Sequence, residues 1–474
     1  MRLVTDQSCG PFSLNSMVDH DSVTGFPLDN LTHLGEMLMD AGRRWPGEEL
    51  VVWKSDIAEA YRLMPMHPAW QIKQVNIIDG QCYIDRNNAF GGSASGAIFI
   101  AFNSLVAWIA KRVKGIDYVG NYVDDSSGCG KRNDLVYYPP YGKSFPRNQT
   151  ALLLLWDELG IPHKAKKQLF GAPLTIIGIE VDPLRMTFTL PEERKKCLME
   201  VLEWWVSKEG KKSRLKEWYK LGGWVNWALN VYPLLCPALN NFYVKFSNSA
   251  AVEPSSPASQ YSGRKGSSLQ LNPIVFVNNA IREDFTWALE KLDNSDGVFL
   301  LRSVAWDVAD ASHVVYCDAC PLGMGFWYPE LQIGFYSPTP QDVDSKLIYY
   351  FEALCVLSAL LDAHRRSRVD SRFVIYTDNY NTVSMFNTLR AMPKYNHLVK
   401  AAVDILVEGD HQLRVLHVPG VQNEVADALS RLEFSKALDL VPNLKIFAFI
   451  PHAWSSEKAH TFKPPRETLG VALI

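Results

Sequence analysis

The chain has 474 residues, 47% of them hydrophobic, with 48 Lys and Arg against 51 Asp and Glu for a formal charge of −3. That apolar content excludes a disordered chain and is ample for two or three globular domains. The near-balanced charge decides nothing about nucleic acid, which local basic patches rather than net charge attract. The longest apolar stretch, Gly96–Ala110, is short and interrupted by Asn103 and Ser104. It reads as a core helix, so no membrane partner is expected. Eight scattered cysteines and no opening signal peptide point to a reducing intracellular compartment, cytoplasm or nucleus.

In chain order, Val51-Val52-Trp53 starts a strand closed by Asp56, just before a helix-like segment. Asp56 is then either a helix N-cap or one half of a metal site. Ala89–Phe99 is a Gly/Ser loop entering a packed helix. In Tyr122-Val123-Asp124-Asp125, two adjacent carboxylates follow a β-prone run and precede Ser126-Ser127-Gly128, read as a turn. The tip of a β-hairpin is expected there. Like charges side by side on a turn are costly unless a cation neutralises them. Together with Asp56 the pair fits a two-metal site, in which one ion activates a 3′-hydroxyl and the other stabilises departing pyrophosphate.

Further along, Pro191-Glu192-Glu193 starts a helical segment reaching Phe246, with acidic residues near the positive end of the helix dipole. A basic stripe from Arg194 to Lys220 is interleaved with Trp204, Trp205, Trp218 and Tyr219. It is either the solvated face of amphipathic helices or a track for a duplex backbone. Ser247–Asn272, rich in Ser, Pro, Ala and Gly, is expected to be a flexible linker, and Pro273–Asp296 a connecting helix.

The C-terminal half carries a second carboxylate set. Val314–Cys320 is a strand bearing Asp318, Gly323 and Gly325 suit a turn, and Leu347–Leu361 is a helix bearing Glu352. Val374–Asn379 is a strand ending in Asp378, and Leu413–Gly420 leads through His417 to Asn423 and Asp427. Cys317 and Cys320 read as buried strand cysteines, because no second ligand pair accompanies them. Four carboxylates at strand ends and on helix faces can converge on two divalent cations and activate water for phosphodiester hydrolysis.

These segments resemble a known family. Asp56–Tyr61, Ala89–Phe99, Tyr122–Asp125, Leu159–Lys167 and Ile176–Val181 look like motifs A to E of a reverse transcriptase palm, in the family's order. The region from Val314 to Ser430 closely resembles ribonuclease H. The implied fold class is α/β (α+β): right-hand fingers and palm over 1–190, N-terminally truncated, and a helical thumb over 191–246. A linker over 247–272, a connection over 273–300, a ribonuclease H-like mixed-sheet domain over 301–432 and a tail over 433–474 follow.

The resemblance implies metal ligands at Asp56, Asp124 and Asp125, and at Asp318, Glu352, Asp378 and Asp427. His417 stands at the proton-transferring position and Asn423 at its accompanying asparagine. Tyr61 matches the aromatic gate against a ribose 2′-hydroxyl, Arg2 a triphosphate-gripping arginine, and Lys166 or Lys167 the lysine near the leaving pyrophosphate. Phe90 and Gly91 belong to the loop that template and nucleotide approach. Gly96 stands where many relatives have proline, and Phe90 where some have glutamine.

The implied activity is RNA-directed DNA synthesis joined to ribonuclease H cleavage, with two Mg²⁺ per active site and Mn²⁺ as a substitute. The implied partners are an RNA template, a DNA primer, the RNA–DNA hybrid and deoxynucleoside triphosphates. The Tyr316–Trp327 stretch and the tail segment Phe462–Gly470 look most like DIRS-type elements of fungi. The alternative is a truncated or co-opted copy that binds nucleic acid or keeps only ribonuclease H activity.

Overall fold

In the computed structural model the described residues are 6–19, 21–207, 209–250, 273–294, 298–300, 306–339 and 348–451. The chain opens with α1 (Leu31–Arg44), β1 (Leu50–Asp56), α2 (Pro68–Gln71), β2 (Val75–Ile78), β3 (Gln81–Ile84) and α3 (Ser95–Arg112). There follow β4 (Gly120–Tyr122), β5 (Asp125–Lys131), β6 (Leu135–Tyr138), β7 (Lys143–Pro146), α4 (Arg147–Leu159), β8 (Leu169–Gly171), β9 (Leu174–Ile176), β10 (Ile179–Asp182) and β11 (Thr187–Thr189). The middle holds α5 (Glu192–Val206), β12 (Lys212–Arg214), α6 (Leu215–Ala228), α7 (Asn240–Ala250), β13 (Ile274–Phe276), α8 (Asn279–Asn294) and β14 (Val298–Leu300).

The last third holds β15 (His313–Ala319), β16 (Gly323–Tyr328), β17 (Ile333–Pro338), α9 (Ile348–Arg366), β18 (Arg372–Thr377) and α10 (Tyr380–Thr388). It ends with α11 (Asn396–Glu408), β19 (Gln412–His417), α12 (Glu424–Ser430), α13 (Phe434–Leu440) and β20 (Lys445–Ala448). This is the expected mixture of helix and sheet. Two compact units result: Met1–Glu192 with Gly297–Val304, and Glu193–Asp296 with Ala305–Ile474.

In the first unit, β1 is the inner strand of an antiparallel sheet of order β4-β5-β1-β8. Its run from Leu50 to Trp53 is buried, and Trp53 packs with Phe99 and Val106 of α3 and with Leu152, Leu153 and Trp156 of α4. Burying one large aromatic in such a core stabilises by roughly 1.5–3 kcal/mol. The register sets Asp56 opposite Asp125.

One expectation is corrected here. Ser126-Ser127-Gly128 is not a turn but part of β5, paired with both β1 and β4. The Trp53 ring explains the glycine, since a Cβ on Gly128 would lie 2.6 Å from that ring and 2.1 Å from the Tyr118 carbonyl oxygen. The hairpin turn is shorter and falls at Val123-Asp124. A second sheet has the order β14-β11-β10-β9, and the expected Ile176–Val181 segment turns there between β9 and β10.

In the second unit, helices α5 to α8 share an aromatic core, with Trp218 stacked on Phe242 at 5.0 Å and Trp205 edge-on to Trp218 at 5.0 Å. Trp205 and Trp218 are therefore interior residues, and only Trp204 and Tyr219 of the expected aromatic stripe face solvent. The expected linker from Ser247 gives way to helix up to Ala250, and 251–272 lie outside the described residues. The expected connecting helix from Pro273 begins instead as β13, paired with β12, and becomes helical only at Asn279.

A six-stranded sheet of order β19-β18-β15-β16-β17-β20 completes this unit. β15, β18 and β19 run parallel, whereas β15, β16 and β17 form an antiparallel meander. Helix α9, buried from Phe351 to Leu360, covers one face of the sheet. On the opposite pleat α12 comes so close that a Cβ on Gly325 would lie 2.6 Å from the Leu429 Cβ. No helix among the described residues is long and apolar enough to cross a membrane.

Candidate active sites

In the first unit, the pairing of β1 with β5 sets Asp56 beside Asp125, and the turn before β5 carries Asp124. Val123 holds that turn in the left-handed region at φ +56°, a costly conformation for a β-branched residue. The buried Asn103 of α3 steadies it by donating to the Val123 carbonyl at 2.7 Å. The Ile57 amide donates to the Asp124 carbonyl, tying the end of β1 to the hairpin. Burial, then Asp124 and Asp56, raise the Asp125 carboxyl above the usual carboxylate range.

A cleft of about 560 Å³ opens over these groups, lined by Asp56, Asp124, Phe90, Arg62, Lys164, Lys166 and Lys167. Lys167 reaches Asp56 Oδ2 at 3.0 Å, and this bond is the chief reason its ammonium titrates above the ordinary lysine range. The loop bearing these lysines is anchored from behind. His163 Nδ1 meets the Tyr141 hydroxyl at 2.6 Å and its Nε2 meets Asp157 at 3.1 Å, while the Pro162 carbonyl accepts the Ala58 amide.

Tyr61 packs on Phe90 at 5.4 Å and on Phe99 at 5.8 Å. Burial and the charge of Asp124 push its hydroxyl above the usual phenol range. Gly91 has φ +104° and its carbonyl accepts from Asn15 at 2.9 Å, while Asn15 accepts in turn from the Ser93 amide. Arg2 lies outside the described residues.

In the second unit, Asp318 is on β15, Glu352 on the second turn of α9, and Asp378 follows β18 directly. One carboxylate oxygen from each lies within 4.8 Å of the other two, the one such group among the described residues. Asp56, Asp124 and Asp125 do not converge as closely.

Burial is the main reason that Asp318 titrates at about 7, opposed by a hydrogen bond from Ser430 and reinforced by Asp378 and Asp427. The Ser430 hydroxyl donates to Asp318 Oδ2 at 2.5 Å. Burial, with Asp318 and Asp378 nearby, pushes Glu352 to about 9. Its Oε2 is buried and has no hydrogen-bond partner. Three hard oxygen donors, two with ionisation suppressed and one orphaned, suit a divalent cation.

Asp427, expected in the same set, stands apart from this trio in an ion pair with Arg431 at 2.6 Å and with Lys436 at 3.6 Å. Asn423 is buried, and its amide donates to the Cys317 carbonyl at 2.9 Å. His417 ends β19 opposite Thr377, one residue before Asp378. Cys317 and Cys320 are buried free thiols, as expected.

Reading the sequence missed Ser430, Arg431 and the His163 anchor. Ser430 and Arg431 follow Asp427 by three and four residues on one helical segment, a spacing that signals contact.

No protein-family model matches this chain, and no curated protein matches it. Solved structures that it is similar to include the foamy viral protease-reverse transcriptase dRH in complex with ds DNA, at TM-score 0.44 and 14% identity, covering 88% of this chain and 62% of that one. The foamy viral protease-reverse transcriptase in complex with dsDNA has TM-score 0.38 and 14% identity, covering 78% of this chain and 67% of that one. The same protein in complex with an RNA/DNA hybrid has TM-score 0.35 and 11% identity, covering 80% of this chain and 66% of that one. The chain thus spans less than two thirds of the first of these.

Proposed function

We propose that the chain is an RNA-directed DNA polymerase joined to a ribonuclease H. The observation that carries this reading is the convergence of Asp318, Glu352 and Asp378 to within 4.8 Å on a mixed sheet. Asp427, His417 and Asn423 complete the proposed nuclease, and Asp56, Asp124 and Asp125 the proposed polymerase. Bound Mg²⁺, two ions per site, would supply charge neutralisation and an activated oxygen nucleophile.

The chain's own groups do the rest. Tyr61 over Phe90 and Phe99 screens the sugar of an incoming deoxynucleotide, and Lys166 and Lys167 meet its phosphates. Arg2 is proposed to grip the triphosphate. Ser430 orients Asp318, and His417 moves the proton during RNA cleavage. The domain plan is that of fingers and palm, thumb, connection and ribonuclease H, and the motif resemblance favours a DIRS-type element. The proposed partners are an RNA template, a DNA primer, their hybrid and deoxynucleoside triphosphates.

The test is primer extension on an RNA template with Mg²⁺, run beside a labelled hybrid. Extension that disappears in Asp124→Asn, with RNA cleavage retained, supports both activities. Cleavage without extension leaves a nuclease alone. That second reading is favoured by the ion pair of Lys167 with Asp56, which occupies a proposed polymerase ligand.

A further inference from the structure

Tyr380 is the first residue of α10, two positions after Asp378. Its helix start is rigid, because the Asn379 side chain caps it by accepting from the Thr382 amide at 3.1 Å. The Tyr380 ring lies face to face on His417, with centroids 3.8 Å apart and planes 9° from parallel. His417 in turn is tethered by its backbone, being paired with Thr377 while the next amide, of Val418, donates to the Thr377 carbonyl at 3.0 Å. Among the described residues no group hydrogen-bonds the His417 ring. A histidine on the strand beside the residue that precedes Asp378 would therefore turn freely about its side-chain torsions but for this contact. Tyr380 is 70% exposed, so interior packing does not explain an ordered ring there.

We propose that Tyr380 is a positioning residue: its ring clamps the His417 imidazole in the orientation from which it exchanges a proton with the RNA strand being cut. This rests on the nuclease reading given above and extends it to a residue outside the acidic set. The two faces lie so close that the imidazole cannot rotate about its side-chain torsions without losing its overlap with the phenol ring.

The experiment compares Tyr380→Ala and Tyr380→Phe in the full chain, on a labelled RNA–DNA hybrid with Mg²⁺. The alanine variant is expected to lose about tenfold in kcat with KM unchanged, a fraction of what a proton-transfer group contributes, and the phenylalanine variant to restore it. In parallel, the His417 ring proton signals, assigned with His417→Gln, are read by NMR. They are expected to carry the ring-current shift of a stacked aromatic in the wild type and Tyr380→Phe, and to lose it in Tyr380→Ala.

A loss in KM alone would overturn the proposal by making Tyr380 a substrate contact, as would unchanged kcat in Tyr380→Ala. An unshifted His417 signal in the wild type would overturn the clamp itself. If the wild type cuts no hybrid while the ring-current shift is present, the nuclease reading fails and takes the catalytic role with it, but the stacking stands. The two failures are thereby distinguished.

Discussion

Glu352 and Asp318 bear the largest electrostatic cost near the proposed nuclease site. Their folded-state carboxyls titrate at about 9 and about 7, well above unfolded values near 4. A raised carboxyl pKa means that the folded chain holds protons that the unfolded chain has already released. Stability from these groups is thus complete below about pH 4 and is lost as pH rises towards 7 and then 9. Without divalent metal, the second unit is expected to melt at progressively lower temperature between pH 5 and pH 9. Added Mg²⁺ should raise that transition, and more at pH 8.5 than at pH 6, because cation and proton compete for the same oxygens. Calorimetry with and without metal reads both effects; a flat pH profile would rule out the suppressed ionisation. Asp378 is half-buried, so Asp378→Asn should fold normally. It is expected to slow RNA cleavage by at least about a hundredfold while leaving primer extension intact.

At the scale of elements, the β1–β5 ladder aligns Asp56 with Asp125, and it depends on Gly128 lying under Trp53. Gly128→Ala is expected to cost about 2–3 kcal/mol, since backbone on one side and an indole on the other leave little room to yield. Denaturant unfolding would measure the loss, and extension should fall with it. Here the limits of sequence become physical. Strands β1, β15 and β18 were readable because each is an apolar run ending at an aspartate. Ser126-Ser127-Gly128 was not, because a glycine that admits a tryptophan, after two serines, looks the same as a turn. β12 and β13 gave no signal either: Lys212-Ser213-Arg214 is polar, and its strand exists only through its partner. Lys166 and Lys167 are indistinguishable by motif, and only the turn geometry gives Asp56 to Lys167. Asp427 was placed by its neighbours in the motif, yet one of its two ion pairs depends on Lys436, a helix beyond it.

For the whole molecule, the second unit is knitted together around one buried charge. Asp284 of α8, 3% exposed, receives Asn241 of α7 at 2.7 Å, Asn396 of α11 at 3.1 Å and Lys400 of α11 at 3.2 Å. Burial still raises its carboxyl, although Asn241 and Lys400 pull the other way. Asp284→Ala would leave the Lys400 ammonium and the Asn241 amide without this acceptor, at a cost of about 3–5 kcal/mol. The helical segment should then lose hydrogen-exchange protection together with α11, not independently of it. Separate loss would show that the helices and the six-stranded sheet do not form one cooperative body.

The pairing of β12 with β13 also makes residues 215–273 a closed circuit whose two ends are pinned to each other. Closing a circuit of this kind costs entropy that grows by only about 0.6 kcal/mol per doubling of its length. Unzipping β12 from β13 would therefore release α6 and α7 at both ends of their stretch at once, while every carboxylate of either proposed site lies outside the circuit.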